Sequence, residues 1–390
     1  MDQGAKVIDI GRVSTPLAYF SMFTGKYSAG IMITASHLPK QYNGFKLMDK
    51  NGYPIFWENG GKDILEIIKA DNYPSSKQKG IKKKQEWHKQ YKKYLSDLLS
   101  DKKFKEQFKD LKVIIDQSNG VGEVEVEVLK SVLPKAKILN FKVSGNFPGH
   151  EPDPLNPVVK KKTAMEIKKA KADLGIVFDA DADRVCFFDE KGNFIRPDVI
   201  LSMLITELRR GKVVYDTRSS KAVSEIAQKQ GVQAVMSKSG RAYMIEAMKN
   251  EMAEIGAENS GHFFFKDYKY LDCAGVAAAK VLVKFAQTRM KEPNKKFSEF
   301  VSGYDIYFHS GEINFKVKNP SKAFLIVEQG FTDARKTLFI DGLSVYYDNY
   351  WFNVRKSNTE ALVRVNAEAN TKEELDNIIR KLTKIMNLTK

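Results

Sequence analysis

Three aspartates at alternate positions, Asp179, Asp181 and Asp183 in Asp179-Ala180-Asp181-Ala182-Asp183-Arg184, stand directly after the apolar run 174–178. Carboxylates so spaced offer hard oxygen ligands that can converge on one divalent cation. A calcium-binding EF-hand is the obvious rival, and Glu190 falls at the position of its last ligand. Arg184, however, occupies the place where that loop needs glycine, and strand-like runs flank the aspartates where an EF-hand needs helices. The pattern therefore predicts a magnesium site at a hairpin turn, with Arg184 adding a cation suited to orienting phosphate.

Three further stretches carry groups of the right kind for phosphate and sugar chemistry. In Thr34-Ala35-Ser36-His37-Leu38-Pro39-Lys40-Gln41-Tyr42-Asn43-Gly44-Phe45-Lys46, a serine sits in a small-residue loop after the apolar run 30–33. His37 and Lys46 are basic groups able to stabilise phosphate on it, and Asn43-Gly44 supplies a tight turn. Gly256-Ala257-Glu258-Asn259-Ser260-Gly261-His262 offers a carboxylate, an amide, a hydroxyl and an imidazole, a set suited to reading sugar hydroxyls. Arg355-Lys356-Ser357-Asn358-Thr359-Glu360 could cradle phosphate oxygens, the guanidinium binding in a bidentate way. Each of these three, taken alone, can also be read as an ordinary polar turn, the serine loop above all.

The elements that must position these groups are legible from hydrophobic patterning. Short β-branched runs, Lys112-Val113-Ile114-Ile115-Asp116, Leu174-Gly175-Ile176-Val177-Phe178-Asp179 and Lys212-Val213-Val214-Tyr215-Asp216, read as strands buried on both faces. Helical patterns over 122–132, 220–230 and 240–250 alternate with them, which implies α/β units with ligands at strand C-terminal ends. A long helix is expected over 85–108, and the proline-rich Phe147–Pro157 is expected to be a stiff surface loop. From residue 304 onward the pattern suggests a small sheet closed by a helix near 372–387.

The chain has 390 residues, enough for two to four domains. Its 43% hydrophobic and 29% charged content is ordinary for a globular protein, and no apolar run is long enough to span a bilayer. Two cysteines, Cys186 and Cys273, offer no disulfide framework and fit a reducing cytoplasm. The formal net charge of +16 points to an anionic partner. Lys77–Lys84 and Lys160–Lys162 lack the aromatic interleaving of a base-stacking groove, so lysine faces favouring an anionic substrate are preferred to nucleic-acid binding.

Taken together and in order, the four stretches resemble the signatures of the α-D-phosphohexomutase family, especially its phosphomannomutase/phosphoglucomutase branch. The resemblance runs from about residue 7 to residue 380 and implies an α/β fold. Three mixed α/β domains (1–96, 97–196, 197–303) and a smaller C-terminal α+β domain (304–390) would surround a central cleft. It also implies Ser36 as phosphoserine, and Ser36, Asp179, Asp181 and Asp183 as ligands of one Mg2+. Ser36, His37, Lys46 and Arg184 are then the catalytic group, Lys46 being a candidate general base. Arg218, Arg241, Glu258, Ser260, His262, Arg355, Ser357, Asn358 and Thr359 become substrate-binding residues. The implied reaction interconverts hexose 1- and 6-phosphates, with hexose 1,6-bisphosphate as intermediate and activator.

Several positions depart from the family pattern. Leu38 replaces an asparagine, Ala180 a glycine and Ala361 a proline, none of which removes a reacting group. Arg218 stands for a lysine and Arg241 for a histidine, and an arginine cannot act as a neutral base. The opening Tyr-Asp-x-Arg-Gly and Gly-Arg-Asp-x-Arg motifs do not precede the serine loop. An incomplete first domain with exposed apolar faces is therefore expected, leaving open a complementing N-terminal fragment or lost activity. The other expectations are a monomer or homodimer, a phosphosugar substrate, and no membrane partner. Glucose-only and glucosamine-phosphate mutases remain the nearest alternatives.

Overall fold

Continuous apolar runs become strands covered on both faces. In the computed structural model, which describes residues 1–73, 76–356 and 362–387, Val113–Asp116, Leu174–Phe178 and Val185–Asp189 are buried at every position. Val113–Asp116 pairs in parallel with Lys137–Leu139 on one side and Leu174–Phe178 on the other. Parallel pairing needs crossover connections, and the helices Glu123–Val132 and Pro157–Ala170 supply them. Leu174–Phe178 then turns back on Val185–Asp189 in antiparallel register, so the aspartates occupy a tight turn at the sheet's end.

These elements belong to the first of two compact units, Met1–Pro197 with Ser260–Phe300. The same unit holds the antiparallel sheet Gly30–Ile33, Phe45–Met48 and Pro54–Ile55, and a parallel pair, Val7–Asp9 with Lys82–Lys84. The period-two alternation puts Ile31 and Ile33 on one face, with Phe45 opposite Ile33, and all three are exposed. The helix Thr15–Gly25 is started by Ser14, whose Oγ accepts from Leu17 N at 3.2 Å, and by Pro16 in the first turn.

The second unit comprises Asp198–Asn259 and Val301–Lys390. Lys212–Asp216 lies between Gln233–Ser237 and Ile255–Ala257, both parallel to it, with helices Ala222–Lys229 and Arg241–Asn250 as crossovers. Farther on, Phe308–Lys316, Leu362–Ala369, Tyr350–Lys356, Leu343–Tyr346 and Lys336–Leu338 form an antiparallel sheet. Lys372–Asn387 closes it as expected, and its Leu382 and Met386 enter a core with Val327, Phe352 and Val363. A second covering helix, Pro320–Gln329, follows the cap Asn319 and was not foreseen.

Two local expectations need correction. The helix expected over 85–108 is broken: His88–Leu98 ends, and Lys105–Asp110 begins after a short 3₁₀ turn. Ser100 Oγ bonds Asp97 O, and Asp101 accepts from Lys103 N at 3.1 Å, so polar side chains compete for the backbone there. The proline-rich loop ends one residue early, because Pro157 opens a helix capped by Asn156. No helix among the described residues is long and apolar enough to cross a membrane.

Candidate active site

The turn between Leu174–Phe178 and Val185–Asp189 buries Asp179, Asp181 and Asp183 almost completely, with ligand atoms within 4.8 Å of one another. Ala182 takes a left-handed backbone at φ 56°, which lets three carboxylates share so short a turn. Asp181 is the best-anchored of the three. Its Oδ2 accepts from Thr15 Oγ1 at 2.7 Å, Thr34 Oγ1 at 3.1 Å and Lys46 Nζ at 2.6 Å. Its Oδ1 is buried with no hydrogen-bond partner. An acceptor so placed costs free energy unless a cation meets it, so the cluster fits a divalent metal.

Electrostatics support that fit. Burial, then the neighbouring Asp183 and Asp181, push Asp179 well above the usual carboxylate range. Burial pushes Asp183 the same way, but Lys46 and His262 outweigh it and hold that carboxyl well below its ordinary value. Lys46 pairs with both Asp181 and Asp183. Burial alone would lower its pKa, yet the two carboxylates raise it above that of an ordinary lysine. Lys46, expected as a candidate general base, is thus paired as an ammonium with two carboxylates.

Ser36 follows the strand Gly30–Ile33 and has a left-handed backbone, φ 52°. Its amide donates to Thr34 Oγ1 at 2.8 Å, and its Oγ donates to Asp179 Oδ2 at 3.3 Å. His37 Nδ1 lies 3.3 Å from the same Oγ. Burial, aided by Arg184, lowers the His37 pKa, so this imidazole is neutral at pH 7. The serine loop and the aspartate turn, far apart in sequence, are thus one constellation.

Arg184 and His262 flank it. Arg184 Nε is 3.8 Å from Asp179 Oδ2 and 3.4 Å from His262 Nε2, and that imidazole lies 3.4 Å from Asp183 Oδ1. Ser260 Oγ meets His262 Nδ1 at 2.8 Å. Glu258 belongs to the second unit, where its Oε1 accepts from Arg218 Nη2 at 3.1 Å and from Gly240 N at 2.8 Å.

In the second unit, Arg218 is gripped by Asp216 as well as Glu258, and Asn259 Nδ2 donates to its carbonyl at 2.9 Å. Arg241 opens the helix after Gly240. Arg355 pairs with Glu312 at 2.7 Å and Asp341 at 3.3 Å, and Asp341 also accepts from Ser239 N at 3.3 Å. Ser357, Asn358 and Thr359 lie outside the described residues. Thr15, Thr34, Asp216, Glu312 and Asp341 were not foreseen. Thr34 opens the serine stretch and Asp216 ends the strand 212–216, while Ser14-Thr15-Pro16, a helix-start signal, marks Thr15.

Comparison with known proteins gives a consistent result. Family models described as Phosphoglucomutase/phosphomannomutase match along the whole chain. Alpha/beta/alpha domains I, II and III match residues 1–74, 91–192 and 196–305, and the C-terminal domain matches 312–385. A phosphomannomutase of Methanocaldococcus jannaschii is 36% identical over 396 residues, covering 97% of this chain and 84% of the relative. A crystal structure of a phosphoglucomutase/phosphomannomutase family protein from Burkholderia thailandensis superposes with a TM-score of 0.84 at 24% identity. That match covers 99% of this chain and 84% of the other. N-acetylphosphoglucosamine mutase of Aspergillus fumigatus, solved with GlcNAc-6P and magnesium, gives 0.62 at 16% identity, covering 98% and 95%.

Proposed function

The chain belongs to the phosphoglucomutase/phosphomannomutase family, and on that premise we propose that it interconverts hexose 1- and 6-phosphates of mannose and glucose through phosphoserine at Ser36. The observation that carries this reading is Ser36 Oγ at 3.3 Å from Asp179, beside an acidic turn whose Asp181 Oδ1 is buried without a hydrogen-bond partner. Asp179, Asp181 and Asp183, with an oxygen on Ser36, would hold Mg2+, which when bound neutralises charge on the transferred phosphoryl group.

The chain's own residues do the rest by position and charge. In the forward half, the P–O bond to Ser36 breaks as a substrate hydroxyl oxygen bonds to phosphorus. The substrate hydroxyl gives up its proton as its oxygen bonds to phosphorus, and the Ser36 oxygen gains one as it leaves; the neutral His37, 3.3 Å from Ser36 Oγ, is placed to relay that proton. Lys46 and Arg184 stay cationic and stabilise the transferring group. The hexose 1,6-bisphosphate then returns its other phosphoryl group to Ser36. Arg218, Arg241, Glu258, Ser260, His262 and Arg355, with Ser357, Asn358 and Thr359, are the groups we assign to sugar hydroxyls and the non-reacting phosphate. We also place domain boundaries near residues 96, 196 and 303, and the enzyme in the cytoplasm on its two free, buried cysteines.

Incubation with glucose 1,6-bisphosphate followed by peptide mass spectrometry is expected to find phosphate on Ser36 and none in Ser36→Ala. Coupled assays should show turnover of mannose 1-phosphate and glucose 1-phosphate. Silence on both, with turnover of glucosamine 1-phosphate, would replace this reading by the glucosamine one. An unphosphorylated Ser36 would end the phosphoserine mechanism.

A further inference from the structure

A buried carboxyl outside the acidic turn is wired to it. Glu125, on the helix Glu123–Val132, is 1% exposed. Its Oε1 accepts from Ser14 Oγ at 2.6 Å and from Tyr91 OH at 2.9 Å, while Oε2 is buried without a hydrogen-bond partner. Ser14 uses its other face as the helix cap, accepting from Leu17 N. The next residue, Thr15, grips the best-anchored aspartate twice, Thr15 N to Asp181 O at 2.9 Å and Thr15 Oγ1 to Asp181 Oδ2 at 2.7 Å. Lys46 Nζ also donates to Thr15 Oγ1, at 3.3 Å.

A capping serine needs no carboxylate behind it; a backbone amide is its only required partner. Burying a carboxyl there is costly, and the surrounding packing is tight. A Cβ on Gly275, at the start of the helix Ala274–Lys291, would come 3.1 Å from Glu125 Cγ. What Glu125 adds is direction. By taking the single Ser14 proton it leaves the Ser14 lone pair aimed at the helix, and so sets the first turn from which Thr15 reaches Asp181.

We propose that Glu125 is a positioning residue for the metal turn, acting through Ser14 and Thr15 to hold Asp181 with its free oxygen presented to the cation. This rests on the phosphohexomutase reading of the acidic turn. The groups facing Glu125 are Ser14 and Tyr91, then Cys273, 3.4 Å from Tyr91 OH, and Tyr268, with Glu123 on its own helix held by Arg12 at 2.8 Å. None is a cation placed against the carboxyl. Burial, opposed by the hydrogen bonds from Ser14 and Tyr91, lifts its pKa to about 7.

The test compares the full-length chain with Glu125→Gln, Glu125→Leu and Ser14→Ala, using Mn2+ binding followed by electron paramagnetic resonance alongside kinetics. Outer-shell groups of this kind are worth about 10- to 100-fold in metal affinity. Glu125→Leu and Ser14→Ala should each weaken Mn2+ about tenfold and lower kcat, with KM for the sugar phosphate unchanged. Their double variant should be no worse than either. Glu125→Gln, which keeps the acceptor oxygen, should bind Mn2+ within twofold of the unmutated chain. Should Glu125→Leu fail to fold by circular dichroism, Glu125→Met, an unbranched side chain nearer the native one in shape, takes its place. Unmutated Mn2+ affinity in a folded Glu125→Leu or Ser14→Ala overturns the proposal. An unmutated chain that binds no Mn2+ brings down the metal reading and the proposal together.

Discussion

Asp181 shows how one side chain divides its labour. One oxygen is satisfied by two threonines and a lysine from different segments, and the other is left buried and unmet. A divalent cation fits an oxygen so placed. Asp181→Asn keeps the shape but removes the charge, leaving the Lys46 ammonium with Asp183 alone. Mn2+ affinity is expected to fall by at least the 10- to 100-fold that indirect groups command, with kcat falling in parallel. An unchanged Mn2+ titration would show that the turn is not the metal site.

At the level of elements, the acidic turn depends on the loop beside it. Val121 N donates to Ala180 O at 2.7 Å, and a Cβ on Gly120 would come within 2.2 Å of that same oxygen. Backbone cannot yield as a side-chain tip can, so Gly120→Ala must displace the turn. It is expected to cost about 1–3 kcal/mol and to abolish Mn2+ binding, read by thermal melting and by titration. The Glu125 link predicts a pH signature as well. Its carboxyl rises from 4.5 when unfolded to about 7 when folded. Below pH 4.5 both states are protonated and nothing changes. Between 4.5 and 7 the unfolded chain ionises first, so stability falls as pH rises, by on the order of 3 kcal/mol, and is flat above 7. Melting temperatures of Glu125→Gln should therefore drop less between pH 5 and pH 8 than those of the unmutated chain. Equal drops would show that Glu125 does not titrate in this window.

For the whole molecule the dominant quantity is charge. Sixty-four Lys and Arg against 48 Asp and Glu leave a net +16, a field that draws a doubly charged sugar phosphate toward the protein. Screening shortens that field to about 3 Å at 1 M salt from about 10 Å at 0.1 M. Raising NaCl from 0.05 to 0.5 M should lower kcat/KM several-fold while kcat stays nearly constant, measured in the coupled assay at fixed Mg2+. Invariant kcat/KM would mean that the lysine faces serve another purpose.

The sequence by itself determined the chemistry that is local. Alternate aspartates between two apolar runs can only be a carboxylate turn joining two strands, and Leu174–Phe178 and Val185–Asp189 bear that out. Four motifs in order identified the family, because each keeps its groups within a dozen residues. What the sequence could not reveal is convergence across distance. Thr15 and Lys46 meet Asp181 from 166 and 135 residues away, and no period or composition encodes such a meeting. The same holds for the loop at residues 256–262, whose Glu258 and His262 look like partners in sequence. In space Glu258 pairs with Arg218 and His262 with Arg184. Only tertiary structure set the Lys46 ammonium against two carboxylates, which raise its pKa above that of an ordinary lysine. The assembled fold likewise decided which oxygen of Asp181 is spent on hydrogen bonds and which is left for a metal.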